Sequence, residues 1–331
     1  NFGADFSQLL TTVLGNDAST SISAKLVDLY VPTELATAIG GPRFGIEGVR
    51  NLVEVPDRPL LLNMIKPCTG LTPEQGAEIF YETALGGIDM IKDDELLGDT
   101  AFSPLVDRVK AYEAAADRAA QITGKRTVYI PNITGQGARS LDNAKRAVDA
   151  GARAVMLTYG TAGYGILADL AESIGVPILG HYAGSGPLYE APNSGLTAAL
   201  AAGTLPRLAG ADLVMLNTPY GGYPMAPASY LASAHRLALP NPGLKPTMPI
   251  VGGGVHPGVV ELYVSDLGTD IMLGPGGAVQ GHPGGAAAGA RAMRQAVDAV
   301  MAGVPTPEYA KDHPELAAAL DRFGYRPPQE Q

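Results

Sequence analysis

Eight short apolar runs recur between residues 60 and 273, and each is followed by a stretch in which apolar side chains return every three or four positions. The runs are Leu60–Ile65, Ile88–Ile91, Thr127–Ile130, Ala154–Leu157, Val176–Leu179, Leu213–Leu216, Pro249–Val251 and Ile271–Leu273. Short, nearly unbroken apolar runs read as strands buried on both faces, the mark of a parallel sheet. The helical stretches between them are Pro73–Leu85, Pro104–Thr123, Leu141–Ala150, Gly165–Ile174, Leu196–Leu208, Ala226–Leu239, Pro257–Leu267 and Gly284–Met301. Pro73 and Pro104 suit a first helical turn, and Gly86, Gly124, Gly151 and Gly175 stand where helices stop. Eight strand–helix units in succession predict an α/β fold, a closed (β/α)8 TIM barrel. The alternative is an open doubly wound sheet, but its Gly-x-Gly-x-x-Gly turn is missing from Lys66–Thr72.

The barrel is expected over residues 58–302. Residues 1–57 lack the rhythm: Phe6–Leu14 reads as a helix, Ala24–Tyr30 as a strand stopping at Pro32, and the segment as the end of another, α+β, domain. Residues 303–331 read as a Pro-rich tail with one helix, Pro314–Phe323. A formal net charge of -10 argues against nucleic acid, which demands a basic face. The basic residues form no run, which argues against a membrane patch, and no apolar stretch reaches the length of a membrane span. The single cysteine, Cys68, excludes an internal disulfide and suits a reducing cytoplasm.

In such a barrel chemistry belongs at the carboxyl ends of the strands. Strand one ends in Lys66-Pro67-Cys68, strand two in Lys92-Asp93-Asp94-Glu95, strand three at Asn132, strand five at His181 and strand six at Asn217. Clustered charge at the end of an apolar strand needs compensation. One reading is an ion pair of Lys92 with Asp94 or Glu95. The sharper one is that Asp94 and Glu95 give hard oxygen ligands to Mg²⁺. A cationic lysine beside that ion makes sense only if its neutral amine has taken up CO2, becoming an anionic carbamate and a third ligand. Gly253 and Gly254 after strand seven, with Gly276 and Gly277 after strand eight, fit a phosphate cradle, because backbone N–H groups approach an anion where no Cβ intervenes. Lys66, across the mouth, is expected to have a lowered pKa and to shuttle a proton.

These motifs resemble the RuBisCO superfamily over nearly the whole chain. Gly86–Glu95 resembles its strand-two motif, which implies a carbamylated Lys92 and Mg²⁺ on Lys92, Asp94 and Glu95. Lys66-Pro67 resembles its strand-one Lys-Pro-Lys, and Gly253-Gly254-Val255-His256, Gly276-Gly277 and Gly281-His282-Pro283 its later landmarks. The resemblance implies that residues 1–57 are the last part of the family's amino-terminal domain. It also implies a homodimer with a shared active site, in which Asn16 reaches into the partner's mouth.

The departures bear on the activity. No lysine follows strand six in Asn217–Pro224, and the family's His-Arg-x-x-His is here His181-Tyr182-Ala183-Gly184-Ser185, leaving one phosphate cradle where a bisphosphate needs two. Ribulose bisphosphate carboxylation is therefore not expected, and the chain falls among the RuBisCO-like proteins. The methionine-salvage enolase of that group has a lysine as general base where this chain has Asn16. The leading expectation is accordingly a decarboxylase of a phosphorylated keto-sugar acid, the 3-oxo-isoapionate 4-phosphate type. Lys66 would handle the proton, His181 and Asn132 orient substrate oxygens, and Asn217 and the glycines bind substrate. The alternatives are the 2,3-diketo-5-methylthiopentyl-1-phosphate enolase type and a non-catalytic binding scaffold.

Overall fold

A computed structural model describes residues 3–20 and 23–328. At its centre stand eight strands, β1 (Leu60–Met64), β2 (Met90–Lys92), β3 (Val128–Ile130), β4 (Val155–Thr158), β5 (Ile178–His181), β6 (Leu213–Asn217), β7 (Met248–Gly252) and β8 (Met272–Gly274). Each expected apolar run overlaps one of them. Neighbours are all parallel, in the order β3-β2-β1-β8-β7-β6-β5-β4. The ring closes between the end strands where Asn132 bridges Met156: the Ile133 N–H donates to the Met156 carbonyl at 2.9 Å, and the Met156 N–H to the Pro131 carbonyl at 2.8 Å. A ring has no edge strand, so the doubly wound alternative is excluded.

Alternation along the strands divides the apolar side chains into two layers. Leu60, Leu62, Met90, Val128, Ile130, Met156, Leu213, Ile250 and Met272 fill the barrel interior. Leu61, Ile91, Tyr129, Leu157, Val214 and Leu273 face the surrounding helices. The helix Pro73–Leu85 starts with the capping box its sequence encodes, Thr72 Oγ1 accepting from the Gln75 N–H and Gln75 Oε1 from the Thr72 N–H. It packs against Leu105–Thr123, with Phe80 and Tyr112 5.5 Å apart between ring centres.

Three expectations need revision. The strand expected over Ala24–Tyr30 shrinks to Lys25–Leu26, paired in parallel with Gly195–Leu196 outside the barrel. The helix expected from Leu196 begins instead as a π-helical turn, Leu200–Thr204, before Leu205–Leu208. The helix Gly45–Val53, inside the segment assigned to another domain, sends Ile46, Val49 and Val53 into the barrel interior and plugs it. At the other end of the chain Pro314–Phe323 packs on Gly285–Met301. Among the described residues no helix is long and apolar enough to cross a membrane.

Candidate active site

The end of β2 sets the chemistry. Lys92 lies level with Met64 on β1 and Ile130 on β3. Its side chain is 0% exposed, and its Nζ donates to the Asp93 carbonyl at 2.8 Å and stands 4.0 Å from Glu95 Oε2. Burial pulls the amine's pKa below the ordinary lysine value, although Glu95, Asp94 and Asp93 pull the other way. The ion pair expected as the plain alternative is therefore long, and burial loosens the amine's hold on its proton.

The three acids that follow have three different surroundings. Asp93 turns away from the mouth, its carboxylate accepting from Arg108 at 3.1 Å, the Tyr129 hydroxyl at 2.7 Å and the Asn132 N–H at 2.9 Å. Asp94 faces the mouth, with Oδ2 3.0 Å from Lys66 Nζ and Oδ1 accepting the Leu96 N–H. Glu95 is one-third exposed, with Oε2 3.5 Å from His181 Nε2. Among the described residues no three His, Cys, Asp or Glu side chains converge as a metal cluster. Asp94 and Glu95 supply two hard oxygen donors, and a divalent ion between them finds its third protein ligand only in a modified Lys92. The donor set fits Mg²⁺ on those terms.

Lys66 departs from expectation. Burial pulls its pKa down, but hydrogen bonds to Cys68 at 2.8 Å and to Asp94 outweigh that and hold it above the ordinary lysine value. It is an ammonium here, a donor of a proton and not a ready acceptor. His181 is the reverse case: burial and the nearby Lys92 push its pKa well below the usual histidine range, so the ring is neutral. Its Nδ1 accepts the Ala183 N–H at 3.2 Å, which places the ring proton on Nε2, facing Glu95.

Asn132, expected to orient a substrate oxygen, has its side chain engaged within the chain. It is 0% exposed, its amide donates to the carbonyls of Glu95 at 3.0 Å and Asp94 at 3.3 Å, and its oxygen accepts twice from Thr134. It holds the acid loop in place. Asn16 is exposed on the outer helix Asn16–Thr20 and lies apart from the residues lining this chain's own mouth. Asn217 lines the mouth, its Oδ1 taken by the Tyr182 hydroxyl, whose ring stacks on His181 at 5.2 Å.

The mouth encloses about 470 Å³. Gly253 and Gly254 adopt φ of 82° and 97°, and the N–H groups of Gly253, Gly254, Gly276 and Gly277 find no acceptor among the described residues. These four N–H groups, on residues that line one cavity, are donors available to an anion. The turn after β6 presses so closely on the β7 turn that a Cβ on Gly221 would lie 1.5 Å from the Gly253 carbonyl oxygen. Tyr182, Tyr223, Met64, Met215 and Phe323 line the same cavity, Met64 reaching within 4 Å of where a Cβ on Gly276 would stand, and Lys66 is the one Lys or Arg among the described residues lining it.

Sequence reading missed Arg108, which is wholly buried and also binds the carbonyls of Ser103, Leu97 and Gly98. The signal was there: Leu105, Arg108, Val109 and Tyr112 share one helical face, so Arg108 sits in an apolar stripe. The apolar wall came from five separate elements and had no local signature.

Fold and site together define a barrel protein with a buried lysine, two carboxylates and two glycine turns at one mouth. The ribulose bisphosphate carboxylase large chain, catalytic domain family matches residues 45–323, and the chain belongs to it, alongside its RuBisCO-like members. It is 43% identical to the ribulose bisphosphate carboxylase-like protein of Archaeoglobus fulgidus over 97% of this chain and 74% of that protein. It is 41% identical to the 2,3-diketo-5-methylthiopentyl-1-phosphate enolase of Exiguobacterium sibiricum, over 98% of this chain and 82% of the enolase. The crystal structure of a RuBisCO-like protein from Alicyclobacillus acidocaldarius superposes with a TM-score of 0.93 at 40% identity, covering 98% of this chain and 82% of that one.

Proposed function

We propose that this protein enolises a phosphorylated diketone of the 2,3-diketo-5-methylthiopentyl-1-phosphate type. The enolase name of a relative at 41% identity supports this reading over the decarboxylation expected from Asn16, which these relatives do not support. The observation that carries it is the cation inventory of the mouth. A substrate with one phosphate on the glycine turns and an uncharged tail against Tyr182 and Tyr223 matches a cavity whose one Lys or Arg among the described residues, Lys66, is already paired with Asp94.

Mg²⁺ would be held by Asp94, Glu95 and carbamylated Lys92, and when bound it supplies positive charge where the enolate oxygen develops. The chain's own groups do the rest. The four glycine N–H groups fix the phosphate, and so fix the carbon that loses its proton. His181 Nε2–H donates to a substrate oxygen as a neutral group, adding no second positive charge beside the ion. Lys66 Nζ–H⁺ donates on the other side. Asn16, facing away from its own mouth, suits a homodimer in which it reaches the partner's site. An Asn amide accepts no carbon-bound proton and Lys66 is held as an ammonium, so the proton would pass to an oxygen of the carbamate on Lys92.

The test is incubation of the Mg²⁺- and bicarbonate-treated protein with 2,3-diketo-5-methylthiopentyl-1-phosphate in D2O, followed by NMR. Exchange at the carbon next to the ketone with formation of the enol is expected. Neither exchange nor enol, with CO2 released from a phosphorylated keto acid instead, would return the decarboxylase.

A further inference from the structure

His256 follows the β7 turn by two residues and lines the same cavity as Gly253, Gly254, Gly276 and Gly277. Its Nδ1 accepts the Gly258 N–H at 3.2 Å, capping the short turn Pro257–Val259. That bond occupies the lone pair of Nδ1 and puts the ring proton on Nε2. The ring also packs on Phe323, 6.0 Å between centres. Phe323 is itself fixed by the chain beyond it. A Cβ on Gly258 would lie 2.0 Å from the Gly324 carbonyl oxygen, and the Arg326 N–H donates to the Gly258 carbonyl at 2.9 Å. One edge and one contact of the imidazole are therefore held, and among the described residues Nε2 has no hydrogen-bond partner.

A cap alone does not call for histidine, since Asn, Asp or Ser accepts an N–H in that role at less entropic cost. What histidine adds is a second nitrogen on the far edge, carrying a proton that nothing in the chain accepts. His256 lines a cavity whose adjoining backbone offers four more N–H groups without acceptors among the described residues. Five donors without acceptors on one side of a cavity call for an anion.

We infer that His256 is a further substrate-binding residue, whose Nε2–H donates to the phosphate group seated on the β7 and β8 glycine turns. This rests on the phosphate reading of that cradle but not on which carbon chemistry follows. The imidazole is neutral, so it adds direction to phosphate binding without adding charge to a mouth whose positive charge belongs beside Glu95.

The experiment is calorimetric titration of inorganic phosphate into the Mg²⁺- and bicarbonate-treated protein and two variants. His256→Asn keeps an acceptor for Gly258 and loses the far N–H; His256→Phe keeps the ring on Phe323 and loses both nitrogens. Both should bind phosphate about tenfold more weakly, as expected for one hydrogen bond to a charged acceptor. With a phosphorylated substrate, KM should rise while kcat changes little. A folded variant that binds phosphate like the parent overturns the assignment and leaves the cradle standing; a parent that binds none overturns both. Should neither variant fold, ¹⁵N labelling of the parent's histidine rings decides. A saturable phosphate-dependent shift of the His256 Nε2–H resonance is expected, and an unmoved resonance refutes it.

Discussion

Withholding CO2 should cost this protein its divalent cation. With Lys92 unmodified, an ammonium stands 4.0 Å from Glu95 Oε2 and 0% exposed to water. Two unit charges at that distance interact by ~4 kcal/mol at an effective dielectric of about 20. A divalent ion seated on Asp94 and Glu95 meets that ammonium as a repulsion; carbamylation turns the same group into an attraction. If only ~3 kcal/mol of the swing survives relaxation and screening, the dissociation constant changes on the order of a hundredfold. Burial prepares the reaction, because it lowers the amine's hold on its proton and only the free amine adds CO2. The assay is titration of Mg²⁺ into protein stripped of CO2 and into protein saturated with ¹³C-bicarbonate, with the carbamate carbon followed by NMR. Lys92→Met should bind Mg²⁺ weakly in both media. Equal affinity with and without CO2, and an unimpaired Lys92→Met, would show that the lysine is an ion-pair partner and the reasoning is wrong.

Asp89, 1% exposed, is gripped by Arg58 at 2.7 Å and by Lys125 and Arg294 at 3.2 Å. Asp89→Asn leaves three cations without their anion and should destabilise by ~3–5 kcal/mol in urea unfolding, and a loss under 1 kcal/mol would contradict this. Burial alone would raise the Asp89 pKa, but Arg58, Arg294 and Lys125 hold it far below the ordinary aspartate value of 3.8. Since the folded value is the depressed one, its contribution is present above about pH 4 and fades as pH falls below that; in Asp89→Asn this part of the acid sensitivity should vanish. Asn132→Ala frees the Asp94 and Glu95 carbonyls and should weaken Mg²⁺ binding roughly 10- to 100-fold, with phosphate binding retained. Gly221→Ala forces the β6 turn off the Gly253 carbonyl and should cost ~1–3 kcal/mol in melting experiments together with a raised KM.

The strands were legible because a parallel barrel demands continuous apolar runs, and each run brought its chemistry to a predictable end. Lys92, Asp94, Glu95, Lys66 and His181 meet at the mouth for that reason. What distance along the chain hides is the electrostatic outcome. Nothing in Lys66-Pro67-Cys68 tells that Asp94, 28 residues on, will hold the ammonium above its ordinary pKa. Asn132 stands at the strand end its sequence position indicates, but nothing local shows that its amide meets the Asp94 and Glu95 carbonyls and Thr134. Phe323 joins the wall from the last helix, and no periodicity in residues 303–331 connects it to the mouth.

The sorting of the acids follows from the pleat. Met90 points into the barrel with Leu62 and Ile130, and Ile91 points out toward the helices with Tyr129. Lys92 is therefore inward, Asp93 outward and Asp94 inward again, since successive side chains alternate. Outward, Asp93 meets Arg108 and Tyr129 and spends its charge there, in the helix layer. Asp93 still pulls the Lys92 pKa upward, and the guanidinium of Arg108, 3.1 Å from the Asp93 carboxylate, opposes that pull. A single-residue slip of β2 would exchange the two roles: an aspartate in the barrel and a lysine against Arg108.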